Sequence, residues 1–426
     1  MLISISSCGD GEKRRSGGSS DDNDSISCDT LPTNVRFKFF LERSGSMTPF
    51  DASTTSGDFK AAITNFLNGV PDDIDYDSNL LYIVNDAVYP FDKSYKDFIR
   101  SKNIFAATKE IGDPRYTDFT CIFDSILAKT ENNEVSVLVS DLIYSTQDMK
   151  DVNCNKILLE AKSLTRSVFR GKTSKNVMIV KMHADYDGPY YSYDSPSKGK
   201  AYKGQRPYYF IVVATPNVMQ HVLNDAKYNS CLDFSTCNGF ENYYCFSAQN
   251  DVEYSILLAN RRNQGRFQGV RGERQIHGIR DIDPDREGNV TMTIAADLSC
   301  VILPESEITN KSNYSVNSLS GFKIKSIERI TDTERDQKLR YIQTATHFIT
   351  LTTQNKVANE TVVLELKNKL PAWVAESSSD DDTDMLSADF ASTTFAFRYL
   401  MEGIYEAYYG THSEPSYFKM EIVINK

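Results

Sequence analysis

Histidine, tryptophan and long apolar runs are scarce in this chain of 426 residues. The five histidines are scattered without paired spacing, which gives little support to a zinc enzyme or a Ser-His-Asp hydrolase. No segment reaches the roughly 18 to 20 apolar residues that a membrane-spanning helix needs. The sequence therefore predicts no transmembrane helix, and any contact with a membrane would require an anchor.

Positive charge is also in short supply. The formal net charge is -11, the pI is near 5.1, and no Lys/Arg cluster recurs along the chain. Binding to nucleic acid depends on a basic surface, so nucleic acid is not an expected partner. The chain is long enough for two or three domains, each with its own core.

The first 34 residues have the composition of an anchor and a tether. The apolar stretch that ends at Cys8, with the sequence MLISISSC, resembles a bacterial lipoprotein cleavage box, in which the cysteine carries lipid. Residues 9–33 are rich in Gly, Ser, Asp and Asn and show no hydrophobic periodicity, as in a flexible tether. We expect a lipid-anchored protein of the bacterial cell envelope, facing the periplasm or on the surface. A cytoplasmic protein with a disordered N-terminus is the alternative.

Residues 35–235 show the alternation of strands and helices that is typical of an α/β domain. Apolar runs at 35–41, 80–84, 135–139, 177–180 and 208–213 predict strands, and helical periodicity lies between them. The pattern favours a doubly wound, mostly parallel sheet, whose ligands collect at the carboxyl ends of the strands. A Tyr-rich insertion at 185–206 lies between the last two predicted strands. Its composition is common both at binding surfaces and in packed surface loops.

Residues 240–426 change to short alternating runs separated by turn signals, which predicts a mainly β second domain. A β-sandwich is the candidate arrangement, with one helix near 395–408. Cys231, Cys237 and Cys245 lie close together in sequence, where a disulfide would be useful in an oxidising compartment.

Three separate segments carry residues suited to a hard divalent cation. The run Glu42-Arg43-Ser44-Gly45-Ser46-Met47 follows the first strand, Thr120 opens a predicted helix, and Asp141 follows the strand at 135–139. Carboxylate and hydroxyl oxygens are the ligands that magnesium prefers. In order and in element type, the three segments resemble the metal-ion-dependent adhesion site (MIDAS) of von Willebrand factor A domains.

The resemblance implies a metal-binding site made of Glu42, Ser44, Ser46, Thr120 and Asp141. Mg²⁺ is the implied ion, with Mn²⁺ or Ca²⁺ as alternatives, and a ligand carboxylate would complete its shell. Glu42 departs from the family pattern, which has Asp there. Its longer side chain could clash with the ion, coordinate it directly, or leave the site without metal. The segment Ser44-Gly45-Ser46 is also compatible with a structural turn that caps the next helix.

The resemblance implies a non-enzymatic function, in which the cation binds an acidic side chain of a partner protein. The only membrane contact in this interpretation is the lipid on Cys8. Two alternatives stay open at this point. One is a structural assembly component with a metal-free site, and the other is a magnesium-dependent hydrolase that uses Ser44 or a metal-bound water as nucleophile.

Overall fold

The computed structural model describes residues 35–71, 81–92, 95–114, 119–144, 152–270, 275–335, 342–411 and 414–426. The expected lipobox-like start and tether at 1–34, including Cys8, lie outside these ranges. The described residues belong to one compact unit. In these ranges, no helix is both long enough and apolar enough to cross a membrane.

A seven-stranded sheet forms the first half of the molecule. Its strand order is β3-β2-β1-β4-β6-β5-β7. The strands are β1 (Arg36–Glu42), β2 (Leu81–Val84), β3 (Val88–Pro90), β4 (Glu134–Ser140), β5 (Asn176–Tyr190), β6 (Lys200–Ala214) and β7 (Phe240–Phe246). The accompanying helices are α1 (Asp58–Gly69), α2 (Tyr95–Arg100), α3 (Phe119–Lys129), α4 (Cys154–Phe169), α5 (Pro216–Asn224) and α6 (Asn229–Leu232).

The prediction of an α/β fold is confirmed, but the sheet is mixed and not mostly parallel. Only the pairings of β1 with β2 and of β1 with β4 are parallel, whereas the other pairings of this sheet are antiparallel. The physical reason is that β5 and β6 are joined as a long hairpin, which requires antiparallel strands. The parts of the two strands at 176–182 and 206–214 are buried on both faces. Strands buried in this way have continuous apolar sequences whatever their direction.

The residues at 185–206 are part of this hairpin and do not form a separate insertion. β5 continues to Tyr190 and β6 starts at Lys200, so the two strands extend together beyond the sheet. We call residues 185–206 the hairpin arm. Tyr186 and Tyr190 on this arm are each only 1% exposed, which makes them core residues.

The second half of the chain is mainly β, as predicted. It contains a five-stranded sheet of order β12-β15-β18-β10-β9 and a four-stranded sheet of order β13-β14-β11-β8, whose buried faces contribute to one hydrophobic core. The strands are β8 (Tyr254–Leu257), β9 (Arg266–Gly269), β10 (Gly278–Asp283), β11 (Val290–Ala296), β12 (Tyr314–Asn317), β13 (Lys323–Arg329), β14 (His347–Thr353), β15 (Glu360–Lys367), the short pair β16 (Ser378–Ser379) and β17 (Thr394–Phe395), and β18 (Ser416–Asn425). The helices are α7 (Glu305–Ile308), α8 (Asp332–Arg335), α9 (Ala372–Glu376) and α10 (Phe397–Tyr409).

Helix α10 is the helix expected near 395–408, and it packs against α4 of the first half. Lys162 on α4 forms ion pairs with Glu402 at 3.0 Å and Glu406 at 2.7 Å on α10. The apolar residues of α4 and α10 belong to the same hydrophobic core. Strand β7 also belongs to the first sheet, and this core contains residues from both sides of the expected boundary at 235–240.

The cysteines at 231, 237 and 245 are free thiols, as are the other cysteines that the structure describes. Cys245 lies on β7 and is fully buried, and Cys231 is 2% exposed. The described part of the chain therefore contains no disulfide.

Candidate functional site

Two carboxylates lie at the carboxyl ends of the neighbouring parallel strands β1 and β4. Glu42 is the last residue of β1, and Asp141 directly follows β4. The pairing of Leu41 with Val139 fixes these two strand ends side by side. Glu42 and Asp141 are each 2% exposed. The parallel pairing of β1 and β4 thus brings two buried acids to the same edge of the sheet, as the sequence predicted.

The serine turn, residues 44–46, lies at the same edge. Oγ of Ser44 and Oγ of Ser46 are 3.0 Å apart. The backbone N–H of Met47 donates a 3.2 Å hydrogen bond to Ser44 Oγ, and the Thr48 hydroxyl donates to the carbonyl of Gly45 at 3.1 Å. These local bonds hold the turn in place and direct both serine hydroxyls to the same side.

Asp141 is held by its backbone neighbours but keeps one oxygen without a hydrogen bond. Its Oδ1 accepts a 3.1 Å bond from the N–H of Ile143. Its Oδ2 is buried and accepts no hydrogen bond from any residue in the described ranges. Burial raises the pKa of Asp141, while the nearby hydroxyl of Ser46, the N–H of Ile143 and the charge of Arg206 act in the opposite direction.

The backbone next to Asp141 is strained. Leu142 has φ of 52°, a left-handed conformation that is unfavourable for a side chain of this size. The N–H of Leu142 donates a 2.9 Å hydrogen bond to Ser140 Oγ, which supports this conformation. The strained residue fixes the direction in which the chain leaves β4, and with it the position of Asp141.

Thr120 is the second residue of α3 and is half-buried. No hydrogen bond between described residues joins its hydroxyl to Ser44, Ser46 or Asp141. The residues at 115–118, just before α3, lie outside the described ranges. The structure thus groups Glu42, Ser44, Ser46 and Asp141 at one edge, and the membership of Thr120 in the site stays a prediction.

The donor set fits a hard divalent cation. Two ligands in adjacent positions of an octahedron, each about 2.1 Å from Mg²⁺, lie about 3.0 Å apart. Ser44 Oγ and Ser46 Oγ have this separation, and in this structure the distance is that of a hydrogen bond between the two hydroxyls. No group of three or more His, Cys, Asp or Glu side chains suited to a metal gathers in the described ranges. Hydroxyl oxygens would therefore have to complete any cation site at this edge.

Sequence reasoning did not identify Tyr191 as a neighbour of the serine turn. A Cβ atom built on Gly45 would lie 2.9 Å from Cε2 and 3.4 Å from the hydroxyl oxygen of Tyr191. The phenol ring therefore covers the middle of the turn. The Tyr-rich composition of 185–206 is common both at binding surfaces and in packed surface loops, and no local signal in it distinguishes Tyr191 from the buried tyrosines beside it.

The hairpin arm follows the chain that leaves the serine turn. Thr54 donates a 2.6 Å hydrogen bond to Asp187, and the N–H of Ser56 donates a 2.8 Å bond to Asp185. The ring of Tyr186 packs edge-on against Phe50, with centroids 5.1 Å apart. Residues 185–187 of the arm are thus fixed to the β1–α1 connection.

The positive charge of Arg206 acts on Asp141 and lowers the pKa of its carboxyl group. The Arg206 side chain is 2% exposed and lies between two aromatic rings, 4.8 Å from the ring centroid of Tyr190 and 4.1 Å from that of Phe390. A guanidinium held in this way is a fixed positive charge inside the protein. It partly offsets the burial of the Asp141 carboxylate.

Fold and site together define a mixed α/β protein with buried carboxylates and paired hydroxyls at the carboxyl edge of two parallel strands. Comparison with protein-family profiles, with curated proteins and with solved structures finds no match to this chain. The resemblance to von Willebrand factor A domains therefore stays a hypothesis that depends on the three sequence segments.

Proposed function

We propose that this protein is a divalent-cation-dependent binding module. The cation would be held at the edge formed by Glu42, Ser44, Ser46 and Asp141, and a partner protein would supply an acidic side chain to it. The observation that carries the proposal is Oδ2 of Asp141, which is buried without a hydrogen bond from any described residue. A carboxylate oxygen that is buried without a hydrogen bond destabilises the folded state unless a positive charge lies close to it.

The paired hydroxyls support a cation as that charge. Ser44 and Ser46 present two oxygens at the spacing of adjacent octahedral ligands, next to the Asp141 carboxylate. Mg²⁺ binds few protein ligands and keeps other positions for water or for an incoming ligand. A bound ion would offer such a position to a carboxylate, which gives strong and directional recognition. Ca²⁺ and Mn²⁺ accept the same oxygen donors.

A tethered location would suit this function. If Cys8 carries lipid, the module would be displayed at the bacterial cell envelope at the end of a flexible segment. Mass spectrometry of the mature N-terminus tests this point separately. A lipid-modified Cys8 at the new N-terminus would support the location, whereas an intact, unmodified Met1 would refute it.

A structural component with a metal-free site is the second candidate. The observation in its favour is the 3.2 Å hydrogen bond from the N–H of Met47 to Ser44 Oγ, which is what a turn-capping serine makes. In this interpretation the serine turn stabilises the β1–α1 connection and binds no ion.

Calorimetric titration with Mg²⁺ and Mn²⁺ separates the two candidates. We expect heat of binding at or below millimolar cation in the wild-type protein, and none in Ser44→Ala/Ser46→Ala. The matched control is Thr331→Ala/Thr333→Ala, because those hydroxyls have the same two-residue spacing and are 3.1 Å apart on the surface. Absence of heat in the wild-type protein would remove the cation proposal and favour the structural component.

A further inference from the structure

We propose that Tyr191 is the gate of the candidate cation site, and that its ring must turn away before a partner's carboxylate reaches the ion. This inference rests on the proposed function, because it concerns access to the same site. Three observations carry it. The ring of Tyr191 lies on the serine turn, and two glycines leave room for it there. The residues on either side of Tyr191 are held by hydrogen bonds, whereas its own side chain is not held by any described residue in this way.

The ring of Tyr191 lies in a slot between two glycines. On one side is Gly45 of the serine turn, where a Cβ would lie 2.9 Å from Cε2 of the ring. On the other side is Gly199, where a Cβ would lie 3.1 Å from Cε1 and Cζ. A side chain at Gly45 would collide with the ring. A side chain at Gly199 would collide with Cβ of Pro189, 2.6 Å away, and would press on the ring. The absence of side chains at these two positions leaves room for the phenol beside the turn.

The residues on both sides of Tyr191 are fixed to the C-terminal half of the chain. The Tyr190 hydroxyl donates a 2.7 Å hydrogen bond to Oδ2 of Asp382, and the N–H of Tyr193 donates a 3.0 Å bond to Oδ1 of the same carboxylate. The ring of Tyr193 stacks on Phe395 with centroids 5.1 Å apart. One buried carboxylate therefore holds both ends of the segment that carries Tyr191.

The Tyr191 side chain itself has no such attachment. Its ring is half-buried, and its hydroxyl makes no hydrogen bond with any residue in the described ranges. Rotation about its side-chain bonds is therefore the cheapest way to uncover the serine turn, since opening the whole arm would break the bonds to Asp382 and those of Asp185 and Asp187.

This geometry separates small ligands from large ones. Glu42 and Asp141 are each 2% exposed and Ser44 is 8% exposed, so only the half-buried Gly45 and Ser46 give access from solvent. The ring of Tyr191 covers the turn at these residues. A hydrated ion needs only brief ring motion to enter, whereas an acidic side chain on a partner protein needs the ring to stay displaced. Tyr191 thus sets the size and shape of the ligand that reaches the ion.

The first test needs no metal. Ser46→Cys places a thiol under the ring, and its alkylation by iodoacetamide is followed by mass spectrometry of the peptide that contains residue 46. This readout ignores the native cysteines. We expect alkylation at least tenfold faster in Ser46→Cys/Tyr191→Ala than in Ser46→Cys. The control Ser46→Cys/Tyr191→Phe removes only the hydroxyl and leaves the ring in the slot, and it should react at the rate of Ser46→Cys.

The second test concerns the ion. Mn²⁺ bound to the wild-type protein should enhance the relaxation of solvent water weakly. Tyr191→Ala should raise the enhancement at least twofold, and Tyr191→Phe should leave it unchanged. Equal alkylation rates with and without Tyr191 would overturn the gate even if Mn²⁺ binds. If alkylation is faster in the protein that lacks Tyr191 but no variant binds Mn²⁺, then Tyr191 covers the turn but gates no cation site. That result would overturn both the cation site and its gate.

Discussion

The Tyr190 hydroxyl donates a 2.7 Å hydrogen bond to Oδ2 of Asp382, and this bond joins the hairpin arm to a residue 192 positions further along the chain. Both side chains are buried. Burial raises the pKa of Asp382 to about 6, and the bonds from Tyr193 and Tyr190 and the charge of Arg206 only partly offset it. The contact therefore depends on pH in a direction that can be worked out.

Mild acid should stabilise the folded protein through Asp382, because protonation removes its buried charge. The pKa of Asp382 is higher in the folded protein than in the unfolded chain, so the folded state binds a proton first as the pH falls. The stability that this group contributes is fully present below about pH 4 and is lost as the pH rises through about 6. Asp382→Asn cannot titrate. Wild-type protein should thus gain free energy of unfolding relative to Asp382→Asn between pH 7 and pH 5.

Urea unfolding of both proteins at the two pH values measures this difference. Other titrating groups, including Asp141, are common to the two proteins and cancel in the comparison. A difference in the free energy of unfolding that stays constant from pH 7 to pH 5 would contradict the prediction.

Replacing Asp141 with Asn should stabilise the protein in the absence of cation and abolish cation binding. The buried charge costs free energy in the folded state, and an amide removes the charge with little change in shape. We expect the free energy of unfolding to rise by about 1 to 3 kcal/mol at pH 7 with chelator present. Denaturant unfolding measures the stability, and calorimetry measures the lost binding.

The control for Asp141→Asn is Asp124→Asn. Asp124 is exposed and forms an ion pair with Lys172, so its replacement should change stability by less than about 0.5 kcal/mol. If Asp141→Asn instead lowered stability clearly below that of Asp124→Asn, the carboxylate would have a stabilising partner and the argument for a cation would fail.

The sequence was a good guide where local pattern determines structure. The apolar run at 35–41 predicted β1 to within one residue, and that at 135–139 predicted the core of β4. Because these strands are parallel neighbours, the polar residues after them meet, as expected. Glu42, Ser44, Ser46 and Asp141 could therefore be grouped from the sequence.

Long-range pairing could not be predicted in the same way. The runs at 177–180 and 208–213 are apolar because both faces of β5 and β6 are covered, and this burial carries no information about strand direction. The polar residues at 200–206 have little strand pattern, yet they pair along the whole hairpin arm. The contact between Tyr191 and Gly45 depends on that pairing, so the cover of the site was not visible in the sequence.

Gly45→Ala tests the contact with Tyr191 through stability. The new Cβ would lie 2.9 Å from the Tyr191 ring, so the ring must move or the turn must shift. We expect a loss of about 1 kcal/mol in the free energy of unfolding, at the low end for overpacking because a half-buried ring can rotate. In the Tyr191→Ala background, Gly45→Ala should cost almost nothing. Urea unfolding of the four proteins in this double-mutant cycle gives the coupling energy, and a coupling near zero would contradict the contact.

Gly403→Ala tests the packing of α10 on α4, which joins the C-terminal half to the first sheet. An Ala normally stabilises the interior of a helix relative to Gly by about 1 kcal/mol. At this position a Cβ would lie 2.5 Å from the carbonyl oxygen of Lys162 and 3.0 Å from Cβ of Thr165. Backbone atoms of a packed helix cannot rotate away as a side chain can, so the two helices would have to separate.

The expected result is therefore a reversal of the usual sign. Gly403→Ala should lower the free energy of unfolding by about 1 to 3 kcal/mol, the range for overpacked cores. Thermal and urea unfolding measure it, with Glu402→Ala as the control. That change removes partly exposed ion pairs with Lys162 and Arg398 and should cost less than about 1 kcal/mol. A stabilising Gly403→Ala would mean that α10 and α4 are not in close contact, and the two halves of the chain would then have separate cores.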